Sequence, residues 1–373
     1  MSAVTDLDPN GRLFGALRTP CVVVDAAALD RNIALMARLA RDAGIKLRPH
    51  AKTHKSVEIA RRQIEAGATG IGCATLGEAE SLADANIGGL LLTSPVMGAD
   101  AFVRLTRLNL LCGLLAVVDH PMQVDLLLKA MQPTDPPFQL LVDVDVGQKR
   151  TGVASVGDGV ALARMIAAQP RLRFVGIQGF AGNAQHVADP RDRKAFAHRA
   201  ADTLCGLRDA LIEEGLAPDI VTGSGTGTHQ LDAAGPYTEL QVGSYVFMDA
   251  DYAAIRDEES RPLPFEPSLF VLATVISANR PGEVTVDAGT KALATNGPPP
   301  VVILGTADGA RYRFAGDEHG ILTNAPSHAP PTLGSRILLG ATHCDPTVNL
   351  HACYHVILGE TVSQWPIRGR YAG

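Results

Sequence analysis

The sequence predicts an α/β chain: a (β/α)8 TIM-type barrel over residues 26–265, and a C-terminal β domain of residues 266–373 joined by the N-terminal segment 1–25. Three observations carry this. Up to about residue 265, short apolar, β-branched runs alternate with longer stretches of helical spacing, which is the pattern of parallel βαβ units. There are about eight such units over about 230 residues, the usual size of a closed barrel. Beyond them the long helical stretches stop, and strand-like runs broken by Gly and Pro take over. An open, doubly wound sheet is the alternative for the first part.

In chain order, the barrel strands are expected at 45–47, 70–73, 89–92, 114–118, 138–144, 174–178, 220–222 and 239–242. Between them, stretches such as 30–43, 56–66, 123–131 and 191–214 repeat apolar residues at helical spacing. The β domain takes its strands from 271–276, 283–287, 301–304, 336–339 and 355–358. Residues 21–24 also read as a strand and precede the first helix, which assigns the N-terminal segment to the β domain. Residues 297–300, Gly followed by three prolines, form a turn or short linker.

With 373 residues, 46% of them hydrophobic, and a mean hydropathy of +0.10, the chain can bury a sizeable core. A net charge of -6 gives no electrostatic reason to bind nucleic acid or an anionic membrane surface. Cys21, Cys73, Cys112, Cys205, Cys344 and Cys353 are too scattered for a zinc pattern or a disulfide framework. They read as small core residues in a reduced, cytoplasmic setting. The N-terminus lacks the basic start and apolar run of a signal peptide, and no apolar stretch is long enough for a membrane span.

Five features bear on chemistry. Arg48-Pro49-His50-Ala51-Lys52-Thr53-His54-Lys55 follows the first barrel strand, at the carboxyl edge where barrel enzymes place their sites. A lysine that forms a Schiff base must lose a proton, and neighbouring cations such as Arg48 and Lys55 favour that. A basic loop in water is the plain alternative. Thr222-Gly223-Ser224-Gly225-Thr226-Gly227-Thr228 follows a late strand, and its successive N–H groups can cradle a phosphate. A tight turn is the alternative. Val242-Gly243-Ser244-Tyr245, after the last strand, could complete that cup.

Asp143-Val144-Asp145-Val146-Gly147-Gln148-Lys149-Arg150 places an arginine just past a strand, where it can donate to an anionic oxygen or sit in a surface salt bridge. Gln185-His186 offers a candidate general base, although a lone histidine is more often structural. Finally, Thr342-His343-Cys344-Asp345 puts an imidazole and a carboxylate two apart. In extended backbone both point the same way and could share a divalent ion. His-x-Asp is also common by chance, and His351, Cys353 and His355 read as the polar alternation of a strand.

Together, and in this order, Thr19-Pro20, RPHAK, DVDVGQ-R-G, QH, TG-GTG, ELQ-GSY-FMDADY, VDAG-K, DEHG and HCDPT-N resemble the D-threonine aldolase and D-serine dehydratase family of fold-type III pyridoxal-5′-phosphate (PLP) enzymes, which is related to alanine racemase. The resemblance spans nearly the whole chain. It implies that Lys52 forms the Schiff base and that Arg150 meets the cofactor's phenolic oxygen. Ser224, Gly225, Thr226 and Gly227, with Gly243, Ser244 and Tyr245, would line its phosphate. His186 would be the base on a substrate hydroxyl, and His343 and Asp345 would hold a divalent metal (Mn, Zn or Mg). The family is usually homodimeric and acts on small D-amino acids.

Within the family, Asp345 favours the aldolase branch, because the dehydratases usually carry His-x-Cys there. Gln185-His186 and the DADY segment point the same way. Two features depart from that branch. Phe180 and Ala181 stand where the aldolases have a tyrosine and a variable residue, and Ala74-Thr75-Leu76 resembles the dehydratases. The expected reaction is metal-assisted retro-aldol cleavage of a D-3-hydroxy-amino acid to glycine and an aldehyde. Dehydration of D-serine or 3-hydroxy-D-aspartate is the nearest competitor, and a racemase or a non-catalytic PLP carrier comes behind it.

Overall fold

The computed structural model describes residues 8, 10–324 and 327–370. Most of the expected N-terminal segment before residue 10 therefore lies outside the described residues, as do 325–326 and 371–373. The chain divides into two compact units. One comprises Met36–Gly243, Arg256–Arg261 and Arg368–Gly373, and the other Met1–Leu35, Ser244–Ile255 and Pro262–Ile367.

The first unit is the barrel that the strand–helix alternation predicts. Eight parallel strands follow the order Lys46–Leu47, Glu239–Leu240, Ile220–Gly223, Leu172–Gly179, Phe138–Asp143, Leu115–Val118, Leu90–Leu92 and Ile71–Cys73. A parallel bridge between His50 and Gly72 joins the two end strands. Ile71–Cys73, Leu90–Leu92 and Leu115–Val118 are buried along their whole length. Parallel strands covered on both faces read this way, as continuous runs without polar residues rather than alternations. Leu91, Leu115, Val117, Leu141 and Val175 pack into one core cluster.

The helices start where short polar side chains can take the orphan N–H groups of a first turn. Ser56 accepts from Ile59, Thr75 from Glu78, Ser155 from Asp158, and Asp189 from Arg191 and Asp192. No helix among the described residues is long and apolar enough to cross a membrane.

The second unit is a nine-stranded, mostly antiparallel sheet. Its long central strand Leu269–Arg280 pairs with Cys21–Asp25, Glu283–Val286 and Arg336–Gly340. Cys21–Asp25 runs parallel to Cys353–Leu358 on its other side. Phe14, Cys21, Val23, Phe270, Leu272, Leu338 and Ile357 form the core. The extended reading of residues 343–345 does not hold. His343 is extended, but the helix Cys344–Asn349 begins immediately after it. All six cysteines are free thiols: Cys21, Cys73 and Cys344 are buried, and the other three are half-buried.

Candidate active site

Lys52 sits in a 3-10 turn, Ala51–Thr53, that follows the first barrel strand. The turn is fixed by His50, whose Nδ1 accepts the Lys52 N–H at 3.2 Å. With Nδ1 as acceptor the ring proton is on Nε2, which donates to Thr93 Oγ1 at 2.9 Å. The two cations expected to tune Lys52 are both committed elsewhere. Arg48 makes a buried, two-armed pair with Glu239, at 2.7 and 3.0 Å, and also donates to the Gly89 carbonyl. Lys55 is buried against Glu78. A carboxylate partner offsets much of the cost of burying a cation. The sequence shows the cations but not the carboxylates that neutralise them.

Arg150 is exposed just past the strand Phe138–Asp143, with its guanidinium carbon 5.7 Å from the centroid of the Phe180 ring. Phe180 thus gives Arg150 an aromatic face to lie on. Beneath them lies a polar network inside the barrel mouth. Gln178 Nε2 donates to Asp143 Oδ1 at 2.8 Å and to the Thr93 carbonyl at 2.9 Å. Both amide hydrogens are then used, so Gln178 Oε1 must accept, and it does so from Gln241 Nε2 at 3.0 Å. Gln241 also donates to Thr222 Oγ1 at 3.0 Å, and Thr151 Oγ1 donates to Asp143 Oδ2 at 2.8 Å. Through Thr93, this network links the Lys52 turn to Asp143, and through Gln241 to Thr222 at the start of the glycine loop.

Burial pushes the Asp143 carboxyl up to about 6, although hydrogen bonds from Gln178 and Thr151 and the charge of Arg150 oppose it. A carboxyl raised in the folded state holds its proton more tightly there than in the unfolded chain. Its stabilising contribution is therefore complete below about pH 4 and lost as the pH rises through about 6. Asp143→Asn removes this titration. Relative to wild type, urea unfolding of the PLP-free variant should shift in its favour by up to about 3 kcal/mol between about pH 4 and about pH 7. A difference that stays flat across that window would show that Asp143 is not a strained acid.

The glycine loop follows the strand Ile220–Gly223, with Ser224 at φ 75°. Gly225 and Gly227 are packed against Gln185: a Cβ on either would collide with its side chain or its carbonyl. The Gly227 N–H donates to Gln185 Oε1 at 3.0 Å, so at least this donor is already used within the protein. His186, the next residue, is exposed in the turn after Leu172–Gly179. Gly243 abuts the Lys52 turn, where an added Cβ would meet Thr53 Oγ1 at 2.7 Å.

Of the expected site residues, Lys52, Arg150, His186, Ser224, Gly225, Thr226, Gly227 and Gly243 belong to the barrel unit. Ser244, Tyr245, His343 and Asp345 belong to the β unit. Ser244 and Tyr245 are buried in the 3-10 turn Ser244–Val246, where Ser244 bonds Tyr252 and the Tyr245 ring meets Phe265. Asp249 Oδ2 takes the Cys344 N–H at 2.9 Å, and burial pushes its carboxyl up to about 7. Asp249 thereby caps the helix that His343 begins but does not cap. The His343 ring is held instead by Asn296, whose Nδ2 lies 2.9 Å from Nδ1. Among the described residues, no group of three or more His, Cys, Asp or Glu side chains is arranged around one ion. His343 and Asp345 supply donor types that a divalent ion accepts, but not from the shared extended face that would aim both at one ion.

The sequence reading missed Gln178, Gln241 and the structural role of Gln185. A signal existed for the first two. Each is an amide among mostly apolar residues at the carboxyl end of a barrel strand, and a buried amide requires partners.

A family profile described as "Alanine racemase, N-terminal domain" matches residues 24–251, and one described as "Putative serine dehydratase domain" matches residues 268–357. A D-threonine aldolase from Arthrobacter sp is 38% identical over 354 residues, covering 94% of this chain and 92% of that protein. A 3-hydroxy-D-aspartate aldolase from Paracoccus denitrificans (strain Pd 1222) is 36% identical over 364 residues, covering 96% and 93%. The crystal structure of D-threonine aldolase from Filomicrobium marinum matches with a TM-score of 0.90 at 38% identity, covering 95% of this chain and 96% of that one.

Proposed function

We infer, from the premise that this chain belongs to the alanine racemase-like family that includes the D-threonine aldolases, that it is a PLP-dependent lyase cleaving D-3-hydroxy-amino acids to glycine and an aldehyde. The observation that carries this reading is the near full-length correspondence, in sequence and in fold, with aldolases of D-3-hydroxy-amino acids. PLP, when bound, supplies an electron sink for the carbanion left at Cα.

The residues of the barrel fit that cofactor. Lys52 would hold it covalently, on a turn whose own backbone is fixed by His50 and Thr93. Arg150, resting on Phe180, would donate to its phenolic oxygen. Ser224, Gly225, Thr226, Gly227 and Gly243 would line its phosphate. His186 would accept the proton of the substrate's 3-hydroxyl. In the β unit, His343 and Asp345 would hold Mn²⁺, Zn²⁺ or Mg²⁺, and a divalent ion makes a coordinated hydroxyl more acidic. The family resemblance extends the reading to a homodimer, and the scattered free cysteines suit a reduced, cytoplasmic setting.

Dehydration is the second reading, favoured by the match of residues 268–357 to a serine dehydratase profile. A product assay on D-threonine, D-serine and 3-hydroxy-D-aspartate separates the two. We expect glycine plus an aldehyde from D-threonine, lost on chelation and restored by Mn²⁺. Ammonia plus a 2-oxo acid would make the enzyme a dehydratase. Racemisation that ignores the chelator would make it a racemase, and bound PLP with no turnover would make it a carrier.

A further inference from the structure

His186 stands between two anchored neighbours. On one side is Gln185, only 2% exposed. Its Nε2 donates to the Ala181 carbonyl at 3.2 Å and to Thr228 Oγ1 at 2.9 Å, while its Oε1 takes the Gly227 N–H. On the other side is Arg193, in the first turns of the helix Pro190–Glu213 and 4% exposed. One guanidinium nitrogen donates to the Val187 carbonyl at 2.7 Å and more weakly to that of Ala188 at 3.5 Å. The other donates to the Arg256 carbonyl.

This is an unusual place for a cation. The Arg193 hydrogen bonds run to main-chain carbonyls, and its Nε has no partner. Asp189 and Asp257 act on it only through their charge, and each is engaged elsewhere. Asp189 caps its own helix. Asp257 closes the turn that ends at Arg261. A buried charge without a carboxylate is expensive to fold. A guanidinium recovers part of that because its fixed fan of donors reaches several carbonyls at once, which a lysine ammonium on its flexible stem does not. Lys194 ties the same 256–261 segment to the helix through Glu258 at 3.0 Å.

We propose that Arg193 is a positioning residue for His186: together with Gln185 it fixes the backbone on both sides of the histidine, so that an exposed imidazole is presented from a rigid turn. The proposal rests on the assignment of His186 as the base. A base displaced by about 1 Å can lose about a hundredfold in rate. Arg193→Ala and Arg193→Lys should therefore lower kcat about ten- to a hundredfold. KM and PLP uptake should stay near wild type, and amide hydrogen exchange at residues 186–189 should quicken in both variants. Millimolar guanidinium ion, below denaturing levels, should restore part of the kcat of Arg193→Ala.

Unchanged exchange at 186–189 would overturn the clamp. Faster exchange with unchanged kcat would overturn the positioning role. If Arg193→Ala does not fold, Arg193→Lys carries the test, since it keeps the charge and most of the volume. The exchange measurement does not depend on the reaction. A wild type that forms some other product would defeat the aldolase reading while leaving the clamp to be judged by exchange and by the kcat for that product.

Discussion

Replacing Lys52 with alanine should abolish turnover and the covalent link to PLP while leaving the barrel folded. The expectation follows from how the turn is held. Its backbone is fixed by His50 and Thr93, and the neighbouring Lys55 is fixed by Glu78. None of these contacts uses the Lys52 amine, so alanine removes the amine without dismantling the turn. Arg48 remains paired with Glu239 in the same way. Lys52→Arg should fail equally, because a guanidinium keeps the charge but cannot lose a proton to become a nucleophile. Borohydride reduction followed by peptide mass mapping should place PLP on the Lys52 peptide of the wild type only. A reduced adduct on another lysine, or activity surviving in Lys52→Ala, would refute the assignment.

His186→Ala should lower kcat by about two to four orders of magnitude, the usual range for a lost general base, and leave PLP bound. The two effects separate because the contacts that hold this turn belong to its neighbours. Gln185 braces the glycine loop, and Arg193 holds the Val187 carbonyl. The His186 side chain is exposed, and its removal leaves those contacts in place. Stopped-flow or steady-state kinetics beside a PLP titration would show the split. Full activity in His186→Ala would assign the base elsewhere, and loss of PLP along with activity would mean that the residue is structural.

The Phe180 position shows how far a motif comparison reaches. From the sequence it is a missing hydroxyl. In the structure it is the face on which Arg150 rests, so its ring has work that needs no oxygen. Residues 343–345 show the opposite failure. A shared ion required extended backbone here, but Asp249, far earlier in the chain, supplies a cap for Cys344 and a helix starts there. A cap delivered from a distant segment leaves no local trace.

What the sequence by itself determined is the set of features that repeat or cluster along the chain. The period of its apolar residues specified parallel strands with covering helices and then a sheet. The order of its short motifs specified the family. What only the tertiary structure decided is which polar groups answer one another. Arg48 meets a carboxylate 191 residues away, and Gln178 meets an amide 63 residues away. Arg193 meets a carbonyl 63 residues on. Periodicity encodes which residues are buried. It does not encode which strand lies beside which at a given height, and a buried polar group's partner depends on that arrangement.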